Sequence, residues 1–188
     1  MGTPASGVLT NCTGTATGLT AGKATNLFNT VSATVTDSTG RITYPAQPRF
    51  IATLSGSIAN VTGDGTQYTL IADTAAVNIG SYYSTSTGIF TAPVTGFYHF
   101  DFTFNLAQLV ASHTGLLINY HINSTDFQLL LNNPYIQSFD TSQLGATTSF
   151  NVQLSATNTL SVNIGVYGGT KTVDLLSSGT YFSGYLIG

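Results

Sequence analysis

The sequence contains no glutamate, and only four of its 188 residues are lysine or arginine. Charged residues make up 6% of the chain, and the formal net charge is −3. Binding to nucleic acid depends on clustered lysine and arginine side chains that neutralise phosphates. The four cations are instead scattered, at Lys23, Arg41, Arg49 and Lys171. We therefore expect no nucleic-acid partner.

Cysteine and long apolar runs are also scarce. Cys12 is the single cysteine, so no disulfide can form within the chain. A chain of this length can bury roughly 70% of its unfolded surface and needs no disulfide to stabilise its fold. No stretch approaches the ~20 apolar residues of a membrane span, and the N-terminus lacks the pattern of a secretory signal. We expect neither membrane insertion nor secretion by a cleaved leader.

The residues that are abundant favour β-structure. Thr, Ser, Gly, Val, Ile, Tyr and Phe fill the chain, whereas strong helix formers on exposed faces are missing. No window shows a convincing period of 3.6 residues with helix caps. The sequence therefore predicts an all-β domain of short strands joined by Gly, Asn and Ser turns.

One segment shows a clear period of two. Its aromatic residues alternate with His99, Asp101 and Thr103, and so share one face of a strand. These aromatics are Tyr98, Phe100, Phe102 and Phe104. We expect this face to be buried.

Other stretches show the same alternation. Strands are predicted at 50–54, 68–72 and 116–122. The stretches 150–154 and 160–164, separated by a short polar turn, predict a hairpin. The spacing of seven residues is more specific still: Asn78, Tyr83, Phe90, Gly96, Tyr98, Phe100 and Phe102.

This spacing resembles the pattern of the complement C1q globular-head family, and residues 181–187 look like that family's closing strand. One position departs from the pattern, because Ala72 stands where the family has phenylalanine. The resemblance implies a jelly-roll β-sandwich of ten or a similar number of strands, of the C1q and tumour necrosis factor kind. It also implies a compact homotrimer.

The closing strand supports a partner subunit. Residues 181–187 are apolar on both faces, whereas a strand covered on one side alternates apolar and polar residues. The residues predicted to form the trimer interface are Tyr181, Phe182, Tyr185 and Leu186. The competing interpretation is a strand that is central and deeply buried.

The chain divides near Phe50 into an extended Thr/Ala/Gly-rich segment, residues 1–49, and a head, residues 50–188. The first segment is too polar to build its own core. It resembles segments that precede domains in phage tail fibres and other virion appendages. The resemblance implies a virion protein, assembled in the host cytoplasm, whose residues 1–45 contact other virion proteins.

Its predicted role is that of a bacteriophage fibre or spike tip, or of capsid decoration, with adhesion to a host surface. The alternative is a secreted or cell-surface recognition module of a bacterium. An enzyme is not expected, because the chain lacks the G-x-S-x-G, H-E-x-x-H and P-loop motifs and has no glutamate for a carboxylate pair.

Low charge favours a neutral ligand such as a surface glycan, which stacks on aromatic rings edged by amide and carboxylate groups. The candidate ligand-binding residues lie in two predicted loops: Tyr135, Phe139 and Asp140 in one, and Tyr167 in the other. The competing interpretation is that Tyr135 and Phe139 pin their long loop to the sandwich.

His99 and Asp101 point the same way from one strand and would meet their copies near the axis of a trimer. They are the candidate metal or anion site, with a hydrogen-bonded polar patch as the competing interpretation. No cofactor is expected, although some members of the resembled family bind calcium. The aspartates in predicted loops, which lack the spacing of a dedicated calcium loop, are Asp64, Asp126, Asp140 and Asp174.

Overall fold

The computed structural model describes residues 35–36, 42–44, 46–132 and 143–187. Every regular element within these residues is a β-strand, and none of them forms a helix that could cross a membrane. The strands are β1 (Val35–Thr36), β2 (Ile42–Thr43), β3 (Arg49–Thr53), β4 (Ile58–Thr62), β5 (Gln67–Thr69), β6 (Thr74–Ile79), β7 (Tyr83–Ser84), β8 (Ile89–Thr91), β9 (Gly96–Ala107), β10 (Gly115–Ile122), β11 (Thr125–Asn132), β12 (Leu144–Leu154), β13 (Thr159–Tyr167), β14 (Val173–Leu175) and β15 (Tyr181–Leu186).

Two antiparallel sheets form a sandwich. In the first, which we call the β9 sheet, the strand order is β4-β14-β9-β15-β3-β6, and β12 pairs with β9. In the second, the β13 sheet, the order is β11-β10-β13-β8-β7, and β5 pairs with β13. The predicted all-β sandwich is therefore confirmed. The strands β1 and β2 form a small separate hairpin.

The aromatic stripe of β9 lies between the sheets, as predicted. Tyr98, Phe100, Phe102 and Phe104 are all 0% exposed, while the residues between them are partly exposed. Phe182 from β15 packs against Phe100, with ring centroids 5.8 Å apart. Large stacked and edge-on aromatic contacts of this kind dominate the core.

Asn78 and Tyr83 close a tight turn between β6 and β7. The Asn78 side-chain nitrogen donates to the Tyr83 carbonyl at 2.8 Å, and its oxygen accepts from the Tyr83 backbone nitrogen at 3.3 Å. The Tyr83 hydroxyl accepts from the backbone nitrogen of Ala72 at 3.0 Å. These bonds explain why an asparagine and an aromatic residue stand at this spacing. Ala72 itself is completely buried.

The predicted hairpin of 150–154 with 160–164 is wrong. The first stretch belongs to β12, which pairs with β9, and the second belongs to β13, which pairs with β10. The polar turn between them therefore crosses from one sheet to the other. Alternation shows which residues are buried but not which strand lies alongside, and sandwich strands adjacent in sequence often lie in opposite sheets.

A two-residue hairpin does join β10 to β11, with Ile122 opposite Thr125. Between them, Asn123 has a φ of 55°, the left-handed conformation that two-residue hairpin turns require and that asparagine adopts readily.

Candidate functional site

The outward surface of the β9 sheet, which we call the β9 face, brings together the residues predicted for the interface and the metal. Backbone pairing across β3, β15, β9 and β12 aligns its side chains in rows. One row contains Arg49, Tyr185, His99 and Asn151, and the next contains Ile51, Ser183, Asp101 and Ser149.

His99 and Asp101 are in contact. The His99 Nε2 atom lies 3.2 Å from Asp101 Oδ1, and its Nδ1 atom lies 2.7 Å from Asn151 Oδ1. Both ring nitrogens therefore face oxygen acceptors. The imidazole ring also packs on Tyr185, with ring centroids 5.1 Å apart. Within the described residues, no group of three His, Cys, Asp or Glu side chains surrounds a common point. One chain thus supplies two metal-binding side chains here, and a metal on a threefold axis stays a prediction.

The four residues of β15 predicted for the interface divide between two faces. Phe182 is completely buried in the core of its own chain, so it has no surface to offer a second chain. Leu186 is partly buried against the same core. Tyr185 points outward and is 45% exposed. Tyr181 also belongs to the outward face and is partly buried.

Three further apolar side chains are exposed around Tyr185 on the β9 face. Ile51 is 46% exposed, and Phe97 and Ile187 are each 51% exposed. Phe97 and Ile187 are neighbours, because the Ile187 nitrogen donates to the Phe97 carbonyl at 2.7 Å. The face therefore combines an apolar patch with the paired His99 and Asp101.

Of the predicted ligand-binding residues, Tyr135, Phe139 and Asp140 lie outside the described residues. Tyr167 is at the end of β13 and is partly buried. Its ring lies against three glycines, which have no side chain to hold it off. A Cβ atom would come within 3.1 Å of the ring at Gly65, 3.3 Å at Gly165 and 3.7 Å at Gly115.

A second polar cluster, not expected from the sequence, lies next to Tyr167 on the outward surface of the β13 sheet. Asn119 on β10 and Asn163 on β13 are directly opposite each other and are 3% and 6% exposed. Their amide nitrogens lie 3.3 Å and 2.9 Å from the Nε2 atom of His121. Asn119 also donates to Gln67 Oε1 at 3.2 Å.

The two amide donors indicate which ring nitrogen of His121 carries the proton. With both amide nitrogens beside it, Nε2 is the acceptor in this arrangement, and the ring proton is then on Nδ1. This nitrogen lies 3.1 Å from Asp126 Oδ1, its acceptor. The alternation along the predicted strand 116–122 puts Asn119 and His121 on one face. The sequence does not predict that Asn163 joins them, because the predicted hairpin pairs its strand with 150–154, whereas the strand lies beside β10.

Two of the aspartates predicted to lie in loops, Asp126 and Asp174, lie in strands β11 and β14 instead. Asp64 Oδ1 accepts from the Thr66 backbone nitrogen at 3.0 Å, and hydrogen bonds from Thr66 lower the pKa of this carboxyl. Asp174 accepts from the backbone nitrogen of Asn60 and from Gln108. Asp64, Asp126 and Asp174 thus bind different partners, while Asp140 lies outside the described residues.

Comparisons with known proteins bear on this fold. The family model described as the C1q domain matches residues 50–187. Murine APRIL aligns with a TM-score of 0.51 at 10% identity, covering 75% of this chain and 99% of that chain. The globular domain of the zebrafish complement 1qA protein aligns with a TM-score of 0.44 at 16% identity, covering 76% and 98%. No curated protein sequence matches the chain.

The alignment with murine APRIL shows a common fold, so the predicted jelly-roll sandwich is confirmed. The family match begins at Phe50 and ends one residue before the last, and it includes all seven residues of the spaced pattern. The chain therefore belongs to the C1q domain family.

Proposed function

We propose that this chain is a structural and recognition protein, not an enzyme, which assembles as a homotrimer through the β9 face. We further propose that it belongs to a bacteriophage virion, where it forms a fibre or spike tip or decorates the capsid and adheres to the host surface. The observation that carries the assembly is the exposed apolar patch around Tyr185.

The patch is the physical reason for assembly. Ile51, Phe97, Tyr185 and Ile187 leave about half of each side chain in water on one face of a well-packed sandwich. Burying apolar surface stabilises by about 25 cal/mol per Å². Contiguous exposed apolar patches usually mark interaction sites. Closed threefold symmetry buries the patch in every copy and leaves none free.

The virion role is supported by composition. Residues 1–45 are rich in Thr, Ala and Gly, and this segment resembles those that precede domains in phage tail fibres. A segment too polar to form its own core gains order by packing on a partner. The low charge of the whole chain suits a surface that must withstand changes in ionic strength.

A deletion tests the virion role. Removal of residues 1–45 leaves the strands from β3 onward intact, so we expect a head with an unchanged thermal unfolding transition. We also expect that the truncated chain, supplied in place of the full chain during phage assembly, is missing from purified particles. The full-length chain supplied from the same vector is the control.

Normal incorporation of the truncated chain would contradict the anchoring role. Presence of the full chain on a bacterial surface without any particle would favour the alternative, a secreted or cell-surface recognition module.

A further inference from the structure

We propose that the outward surface of the β13 sheet carries a saccharide site, in which Asn119 and Asn163 accept hydrogen bonds from sugar hydroxyls and Tyr167 supplies an aromatic wall. This proposal deepens the proposed host adhesion and rests on it. It places the bound ligand on the surface of a sheet, whereas the sequence predicts a ligand on two loops.

Two hydrogen-bond acceptors in this cluster are unused. The Oδ1 atoms of Asn119 and Asn163 are buried, yet they receive no hydrogen bond from the residues that the structure describes. Leaving one buried polar atom unsatisfied costs about 1–3 kcal/mol. Native proteins contain few such atoms, and two side by side on paired strands are unusual. A ligand that donates two hydrogen bonds would satisfy both.

These two oxygens are held in place by the hydrogen bonds of His121. The Nε2 atom of His121 accepts from both amides, and Asp126 holds the ring proton on Nδ1. Rotating either amide would bring its oxygen against the lone pair of Nε2, which is repulsive. The two amide nitrogens therefore stay on His121. The two oxygens stay as a fixed pair of acceptors.

An aromatic ring lies next to the asparagine pair. Gly165 is two residues along β13 from Asn163, and the Tyr167 ring lies across it. The hydroxyl of Tyr167 is beside Gly165. Gln67 also lies against Gly165 and reaches Asn119. Gln67 is exposed, so its flexible side chain can move away and admit a ligand to the asparagine pair.

These groups select the class of ligand. Two amide oxygens need donors, and an aromatic wall favours an apolar face, a combination that pyranose rings offer. A divalent cation fits less well, because it prefers several carboxylate oxygens. The nearby carboxylate, Asp126, is bound to His121. A neutral saccharide with adjacent hydroxyl groups fits all three features.

The test is saturation-transfer NMR on the full-length chain, with the methyl glycosides of glucose, galactose, mannose and N-acetylglucosamine as probes. We expect transfer to at least one glycoside, strongest at protons of the face that stacks on Tyr167. Transfer to none of the four would overturn the proposal.

Variants separate a binding role from a structural one. Asn163→Leu removes an unsatisfied oxygen but also the bond from its amide nitrogen to His121, so we expect a melting temperature close to that of the wild type together with a loss of affinity of at least about tenfold. Tyr167→Phe should retain binding, whereas Tyr167→Ala should lose it. Gln108→Leu, an exposed amide in the loop after β9, is the control and should bind as the wild type does.

If Asn163→Leu bound the saccharide with wild-type affinity, the proposed site would be wrong, whatever the stability of the variant. The result is independent of the virion role. Saccharide binding combined with normal incorporation of the truncated chain would sustain the site and reject the anchoring. Absence of saccharide binding combined with lost incorporation would reject the site and sustain the anchoring.

Discussion

Among single residues, Tyr83 shows most directly how burial in the core changes the ionisation of a side chain. Its ring stacks on Phe50 with centroids 4.5 Å apart, and its hydroxyl accepts from the backbone of Ala72. Burial raises the pKa of Tyr83 to about 12, because the phenolate would have to lose its hydration. Burial also raises the pKa of Tyr68, Tyr98 and Tyr120.

This shift predicts alkaline instability. An unfolded tyrosine loses its proton near pH 10, whereas folded Tyr83 keeps it to about pH 12. The stabilisation is complete below pH 10 and is lost as the pH rises through 12. A shift of about two units corresponds to roughly 2–3 kcal/mol of unfolding free energy.

The variant Tyr83→Phe isolates this effect. Near neutral pH it should be less stable than the wild type by about 1 kcal/mol, because the bond to Ala72 is lost. Above pH 12 the order should reverse, since phenylalanine does not ionise. Urea denaturation of both proteins over this pH range measures the difference. A constant difference at every pH would contradict the assignment.

Single residues also show what sequence could predict about the site. The buried stripe on β9 was predictable because a period of two is a local property of the chain. The cluster around Asn163 was not, because its partners come from β5, β10 and β11. Such contacts depend on which strands pair, and this follows from the packing of the whole sandwich.

At the scale of elements, β15 is the central strand of the β9 sheet, between β9 and β3. Gly184 lies on its inward face beneath two aromatic rings. A Cβ atom there would lie 2.5 Å from Phe100 and 2.9 Å from Phe50. Both rings are fully buried and have no room to move.

We therefore expect Gly184→Ala to lower the free energy of unfolding by about 1–3 kcal/mol through overpacking. Gly56→Ala is the matched control, because a Cβ atom at Gly56 has no heavy atom within 4 Å. Chemical denaturation of both variants measures the effect. Equal stability of the two variants would show that the core around β15 is looser than described.

Elements were predicted better than their pairing. The stretches 50–54, 116–122 and 160–164 all lie in or overlap observed strands, because alternation and turn residues are local signals. The sheet in which each strand lies was harder to predict. The turn after β12 leads to the opposite sheet, although its length and polarity are also those of a hairpin.

At the scale of the whole molecule, the proposed assembly depends on what covers the β9 face. The described residues leave Ile51, Phe97, Tyr185 and Ile187 exposed there, next to the pair of His99 and Asp101. A second and third copy of the chain would bury this surface. They would also bring three copies of the His99–Asp101 pair to one interface.

The most direct test is the mass of the full-length chain by light scattering coupled to size-exclusion chromatography. We predict about three times the chain mass of 19.6 kDa. Tyr185→Asp should shift the mass towards one chain, because an unpaired charge in an apolar interface costs several kcal/mol. Val110→Asp, an exposed loop position, is the control and should remain a trimer. A folded wild-type chain that runs as a monomer would contradict the account.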